Sequence, residues 1–316
     1  MEVARVAVDT DSVKPHGDSM NAGVVTGFRS GWTVLWKTAL FFVVWGLLLF
    51  PFVAPMGPIL AEWEKTFPLM ARWYGEIVGA TTMVVATWLM MRFIDHRPFL
   101  AAAFAPVHLA RDAPAGLGVG SLWLLVSVGI AWAAGWASPQ APVGFSWTVL
   151  LGAAVALFFN VLTQQLLLCG YIFQTIRSQA GLGVTVVVSA LLFAGYHAGV
   201  FKGAWLPAVN VFAAGVLFSL AYGLTGNLWF PISIHFAWNL LLGPVLGATV
   251  SGSSQLGNGW RLLVVSGPEL LTGGGFGLEG GLVVTLTTVM GIVALALVQR
   301  GRPREVGLLA PQVGPR

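Results

Sequence analysis

The sequence predicts an all-α fold, a polytopic membrane helix bundle with about eight transmembrane helices and almost no soluble domain. Three observations predict it. Hydrophobic residues make up 57% of the 316 residues and charged residues only 9%, where a soluble domain averages nearer a quarter charged. Mean hydropathy is +0.82. Eight long apolar windows run at roughly 34–56, 75–94, 114–135, 146–173, 183–200, 205–223, 228–249 and 281–299, and about 20 helical residues cross a bilayer core. The windows are continuously apolar rather than alternating, so helices are expected and not a barrel.

Taken in order, residues 1–31 are polar and carry Arg5, Lys14 and Arg29 with no apolar core of a signal peptide; they read as a disordered cytoplasmic tail. Residues 32–145 hold three spans with few polar groups and read as packing helices. Residues 146–250 form the core that carries the polar motifs. Residues 251–280 are Gly-rich, lack the lysine of a phosphate loop, and read as a flexible outer loop. Residues 281–316 are a last span and a basic tail. The windows 183–200 and 205–223 are short for full spans, so tilt, a break or fusion of ends is expected there.

Orientation follows from the positive residues. With the termini inside, eleven Lys and Arg fall on inner segments and four, Lys65, Arg72, Lys202 and Arg261, on outer loops. Both termini are therefore expected in the cytoplasm, with the protein in the plasma membrane. The net charge of +4 reads as this inward bias, and no nucleic-acid partner is expected. Cys169 is the only cysteine, which excludes an intrachain disulfide and a multi-cysteine metal site.

Polar residues gather from the fourth window onward. Three groups stand out: Gln164-Gln165 followed by Cys169, then Phe193 with His197, then His235 with Asn239. Residues four apart share a helix face, so His235 and Asn239 can point into one cavity. Polar groups inside a bilayer are costly and usually face a bundle interior. Single ones are also ordinary interhelical contacts, worth about 0.6 kcal/mol on average.

The order and content of these groups resemble the CPBP family of intramembrane proteases, which includes type II CAAX prenyl proteases and bacteriocin-immunity homologues. That family's pattern is EExxxR, then FxxxH, then HxxxN. Phe193 and His197 match the second motif, and His235 and Asn239 the third. The resemblance is specific over roughly 160–243. It implies hydrolysis of membrane-associated or prenylated peptides in a cavity opening within or beside the bilayer. Its site residues here are Gln164, Gln165, His197, His235 and Asn239, with Cys169 and Phe193 in support. His197 and His235 would be the ligands if zinc is held.

The first motif departs from the pattern. Gln164 and Gln165 stand where the family has glutamates, one of them its proposed general base, and Cys169 stands where it has arginine. An amide cannot usefully take a proton from water. Impaired hydrolysis is expected, or alternatively a catalytically silent scaffold or immunity factor that binds a peptide or lipidated segment. No Asp or Glu lies between 113 and 268. Glu76 starts the second span, and Glu269 and Glu279 reach the motifs only from the outer loop. A histidine base is the remaining route, since imidazole titrates near neutrality.

Overall fold

The computed structural model describes residues 17–141, 145–253 and 261–301. The helices, in chain order, are α1 Gly17–Val53, α2 Gly57–Thr66, α3 Pro68–Leu89, α4 Phe99–Ala103, α5 Pro106–Ala133, α6 Trp147–Cys169, α7 Tyr171–Tyr196, α8 Ala198–Phe201, α9 Trp205–Thr225, α10 Trp229–Leu240, α11 Glu269–Thr272 and α12 Leu282–Gly301. Strands β1 Ala137–Pro139 and β2 Leu263–Val265 pair antiparallel, with Ala137 opposite Val265. The protein is a multi-pass helical membrane bundle.

Six stretches among the described residues are long and apolar enough to cross a membrane: Ser30–Val53, Pro68–Ile94, Pro106–Ala133, Trp147–Tyr196, Trp205–Thr225 and Leu282–Gly301. Each of the eight apolar windows falls on helix. The windows 146–173 and 183–200 share the fourth stretch, which is α6 and α7 on either side of Gly170, where the backbone leaves the helix (ψ −130°). A second break at Gly181 (φ 74°, ψ 175°) sets the end of α7 apart as its own rod; only glycine adopts that conformation freely. The window 228–249 falls on α10 and the π-helical turn Leu241–Val245 that continues it.

The bundle turns its apolar side chains outward as well as inward. Leu47 is 69% exposed and Phe50 68% on α1, and Val107, Leu125, Trp132 and Leu297 are similarly open on other helices. In water such a surface would be untenable over this extent; against lipid it is the expected face. Among the described side chains of α1, Phe41 is the buried one, and its ring stacks on Tyr171 at 5.8 Å. An ion pair between Lys37 and Asp95 ties α1 to the chain just after α3. Because α1 starts at Gly17, helix occupies the second part of the expected disordered tail. Residues 1–16, and the basic tail after 301, lie outside the described residues.

What positions the site is the contact between α5 and α10. Gly116 and Gly120 are one turn apart, and a Cβ on either would lie 2.5 Å from the Phe230 carbonyl oxygen or 2.3 Å from that of Ile234. The small-xxx-small spacing lets the two backbones touch. A buried polar knot holds the base of the same pair: Asn227 Nδ2 donates to Asp112 Oδ2 at 2.6 Å, and Asn227 Oδ1 accepts from the Trp229 N–H at 3.0 Å. At the other helix ends, Ser127 and Thr287 hydroxyls bond at 2.8 Å between α5 and α12.

The described part of the Gly-rich segment is a packed cap, where the sequence reads as a flexible loop. After β2 the chain forms α11 and two 3₁₀ turns, Gly274–Phe276 and Leu278–Gly280. Gly277 has φ 89°, and a Cβ there would meet the Thr249 carbonyl oxygen at 2.6 Å. The glycines thus allow close packing and left-handed turns. Asn210 of α9 fastens the cap, its Nδ2 donating to the carbonyls of Glu279 (2.8 Å) and Gly281 (3.0 Å) while its Oδ1 accepts from Thr285 Oγ1 (2.6 Å).

Candidate active site

Helix α10 brings His235 and Asn239 onto one face, as i and i+4 residues must be, and both are buried. His197 ends α7 and is only partly buried. Phe193, one turn earlier, separates the two imidazoles, with ring centroids 4.6 Å from His197 and 6.1 Å from His235. His235 also stacks on Phe218 at 4.7 Å. His197, His235, Asn239 and Phe193 line a common cavity of ≈ 40 Å³. That is room for a little water, given that about 10–15 Å³ holds one molecule.

Both ring nitrogens of His235 are engaged. Gln165 Nε2 lies 3.0 Å from Nδ1, and Asn239 Nδ2 lies 3.1 Å from Nε2. An amide nitrogen only donates, and a neutral imidazole has a single acceptor nitrogen. One amide therefore turns its oxygen to the ring. Turning Gln165, whose Oε1 has no partner among the described residues, satisfies both ring nitrogens: Nδ1–H donates to Gln165 Oε1 and Nε2 accepts from Asn239. His235 is thereby clamped as a neutral ring with no lone pair to spare. His197 differs. Its Nδ1 faces the Phe193 carbonyl oxygen at 2.8 Å, which fixes the proton on Nδ1 and leaves Nε2 as an acceptor.

Gln164 turns elsewhere. Its Nε2 donates to Asn160 Oδ1 at 2.8 Å, and Asn160 Nδ2 reaches both Glu76 oxygens at 3.0 Å. Arg72 stands 3.7 Å from Glu76. Gln164 therefore ends a polar chain leading to α3 and does not line the cavity. Cys169 is fully buried, with Sγ 3.8 Å from the Phe218 carbonyl oxygen.

The cavity includes residues that the motifs do not mark. Trp123 and Trp238 pack at 3.9 Å across the α5–α10 seam. Ser251 and Glu279 close the cavity from the cap, and Glu279 is the one carboxylate among the described residues that line it. Burial holds its carboxyl above the usual carboxylate range, against donors from Trp238 and Ser251 that favour the charge. The Gly116/Gly120 spacing was a readable signal for the seam. Nothing in the local sequence marks Glu279.

Zinc does not fit this donor set. Structural and catalytic zinc take three or four protein ligands. Among the described residues no three His, Cys, Asp or Glu side chains gather as a candidate, and His235 has both nitrogens committed to amides.

The match to known proteins falls on these elements. Residues 145–241 match the family model "Type II CAAX prenyl endopeptidase Rce1-like". The Rce1-like segment runs from the start of α6 to the end of α10 and contains Gln164, Gln165, His197, His235 and Asn239. No curated protein and no solved structure matches the chain. The cap with Glu279, and α5 with its two glycines, lie outside the Rce1-like segment.

Proposed function

We propose that this chain is a CAAX-prenyl-endopeptidase-like membrane protein that hydrolyses a membrane-associated or prenylated peptide slowly, with the water-sized cavity beside His197, His235 and Asn239 holding the attacking water. The observation that carries the reading is the convergence of His197, His235 and Asn239 on one cavity inside the Rce1-like segment. Water held there would sit against His197 Nε2. The second Asn239 N–H, beyond the one given to His235, would supply a donor for the oxyanion. In the resemblance Gln164 and Gln165 occupy the glutamate positions, so the family's own base is missing, and positioned acid–base help is worth about 10²–10⁴-fold. The protein sits in the plasma membrane with both termini cytoplasmic in this reading.

The test is full-length protein in lipid nanodiscs, mixed with farnesylated peptides ending in a CAAX box and with transmembrane peptides, products read by mass spectrometry. Slow cleavage by wild type and a gain of at least tenfold in Gln164→Glu/Gln165→Glu are expected. The gain has a structural basis: a carboxylate at 165 would accept a charge-assisted bond from His235 Nδ1–H. A second reading, a silent scaffold or immunity factor, rests on the amide clamp that occupies His235 on both sides. It is preferred if wild type binds the prenylated peptide and neither it nor the double variant cleaves.

A further inference from the structure

We propose that Glu279, delivered by the cap, is the general base of this site in place of the glutamates that Gln164 and Gln165 replace. The proposal rests on the peptidase-type reading above. Glu279 shares the cavity with His197, His235 and Asn239. Its orientation is built rather than incidental. Oε1 accepts from Trp238 Nε1 at 2.7 Å, and Oε2 accepts from the Ser251 backbone N–H and from Ser251 Oγ at 3.0 Å. Its own backbone is held by Asn210 at 2.8 Å. A carboxylate carries about four lone-pair sites, so these three donors leave it able to accept a proton from water. Burying a carboxylate without a role is expensive, and the surrounding helices supply no cation to the cavity lining.

The step balances within the residues on hand. Water donates one proton to Glu279 while His197 Nε2 accepts a hydrogen bond from the other hydrogen and orients the oxygen. The oxygen bonds to the scissile carbonyl carbon, and the carbonyl π pair moves to oxygen, facing Asn239. Collapse re-forms the carbonyl and breaks the C–N bond. The leaving nitrogen takes the proton from Glu279, which returns to carboxylate. One water is consumed, and one carboxyl and one amine terminus are made.

The alternatives for the base are distinguishable. Glu76 is engaged by Asn160 through both oxygens and does not line the cavity; His197 lines it with Nε2 free, the nitrogen that orients the water in the step above, and a His197 base is the rival that the variants below separate.

The experiment uses full-length protein in nanodiscs with a farnesylated CAAX-box peptide as probe, measuring anisotropy for binding and mass spectrometry for kcat and KM. Glu279→Gln is expected to lower kcat about 10²–10⁴-fold with KM within a few-fold of wild type. Glu269→Gln, changing a cap carboxylate outside the cavity, is expected to leave both unchanged. Glu279→Asp keeps the charge but withdraws it by one methylene, and a loss of at least tenfold in kcat is expected; it decides the matter if the Gln variant does not fold. Wild-type kcat in either folded Glu279 variant overturns the proposal, as does a loss confined to Glu76→Gln or His197→Ala. A wild type that binds but does not cleave, with cleavage restored by Gln164→Glu/Gln165→Glu, overturns Glu279 and leaves the peptidase reading standing. Absence of both binding and cleavage in all variants removes that reading, and Glu279 with it.

Discussion

At the scale of single residues, the cavity holds two kinds of histidine. His235 is fixed by Gln165 and Asn239, while His197 is fixed on one nitrogen only. With Glu279 as the proposed base, its carboxyl sets the acid side of the pH profile. Burial raises it above the ordinary glutamate value of about 4.3. The groups facing it are His197 and His235 across the cavity, with no lysine, arginine or second carboxylate in the lining. A base works only when deprotonated, so cleavage falls as pH drops through that raised value. The expected rate profile has an acid limb displaced upward from pH ~4, and Trp238→Phe, which removes a donor that favours the charge, moves the limb further up. A rate that stays flat down to the ordinary carboxylate range contradicts this. The spacing of His197, His235 and Asn239 was legible in the sequence because helical periodicity puts i and i+4 on one face. Glu279 was legible only as an acid that the outer loop could bring, not as part of the site, because it stands 41 residues beyond its partner Trp238 in a segment whose composition reads only as turns.

Among the elements, two junctions decide whether the site exists. The first is the α5–α10 seam. Gly120→Ala places a Cβ about where the Ile234 carbonyl oxygen already lies, 2.3 Å away, and backbone must move. A loss of roughly 1–3 kcal/mol is expected from overpacking, seen as a lower unfolding temperature in detergent, together with weaker peptide binding because His235 and Asn239 ride on α10. Gly118→Ala, with open space at its Cβ position, serves as the neutral control. The second junction is the cap. Asn210→Leu removes both bonds to the Glu279 and Gly281 carbonyls. The expected result is a fall in kcat larger than the change in KM, and faster proteolytic cutting within 261–281. The apolar windows gave each of the long helices, because lipid-spanning segments are set by length and hydropathy. Their breaks at Gly170 and Gly181 were only hinted at by the short window 183–200. The packed cap was missed outright, since glycine supplies both loose loops and close contacts.

For the whole molecule, the ribbon of β1 and β2 joins the connection after α5 to the chain after α10, so those two connections lie on one side. Reporters inserted at Pro139 and at Ser266 should give the same sidedness, and a C-terminal fusion the cytoplasmic signal that the positive residues call for; opposite signals at the first two sites would break the ribbon. Seven of the eight apolar windows fall on the six span-length stretches, two of them on the joined α6 and α7, and the eighth, 228–249, falls on α10, which is not among the six. That last helix has one further consequence. No residue from 229 to 245 is exposed, so the rod that bears His235 and Asn239 is sheathed by protein along most of its surface, with Phe236 and Leu240 among the few side chains left half-buried. Changes in bilayer thickness strain helices with a lipid face, by tilt or stretch, and here that load falls on the periphery, α1 foremost, of whose span window only 6% is buried. Peptide binding measured in vesicles of short-, medium- and long-chain phosphatidylcholine should therefore vary little, while thermal stability tracks chain length: the placement of His235 and Asn239 is mechanically insulated from the membrane around the bundle.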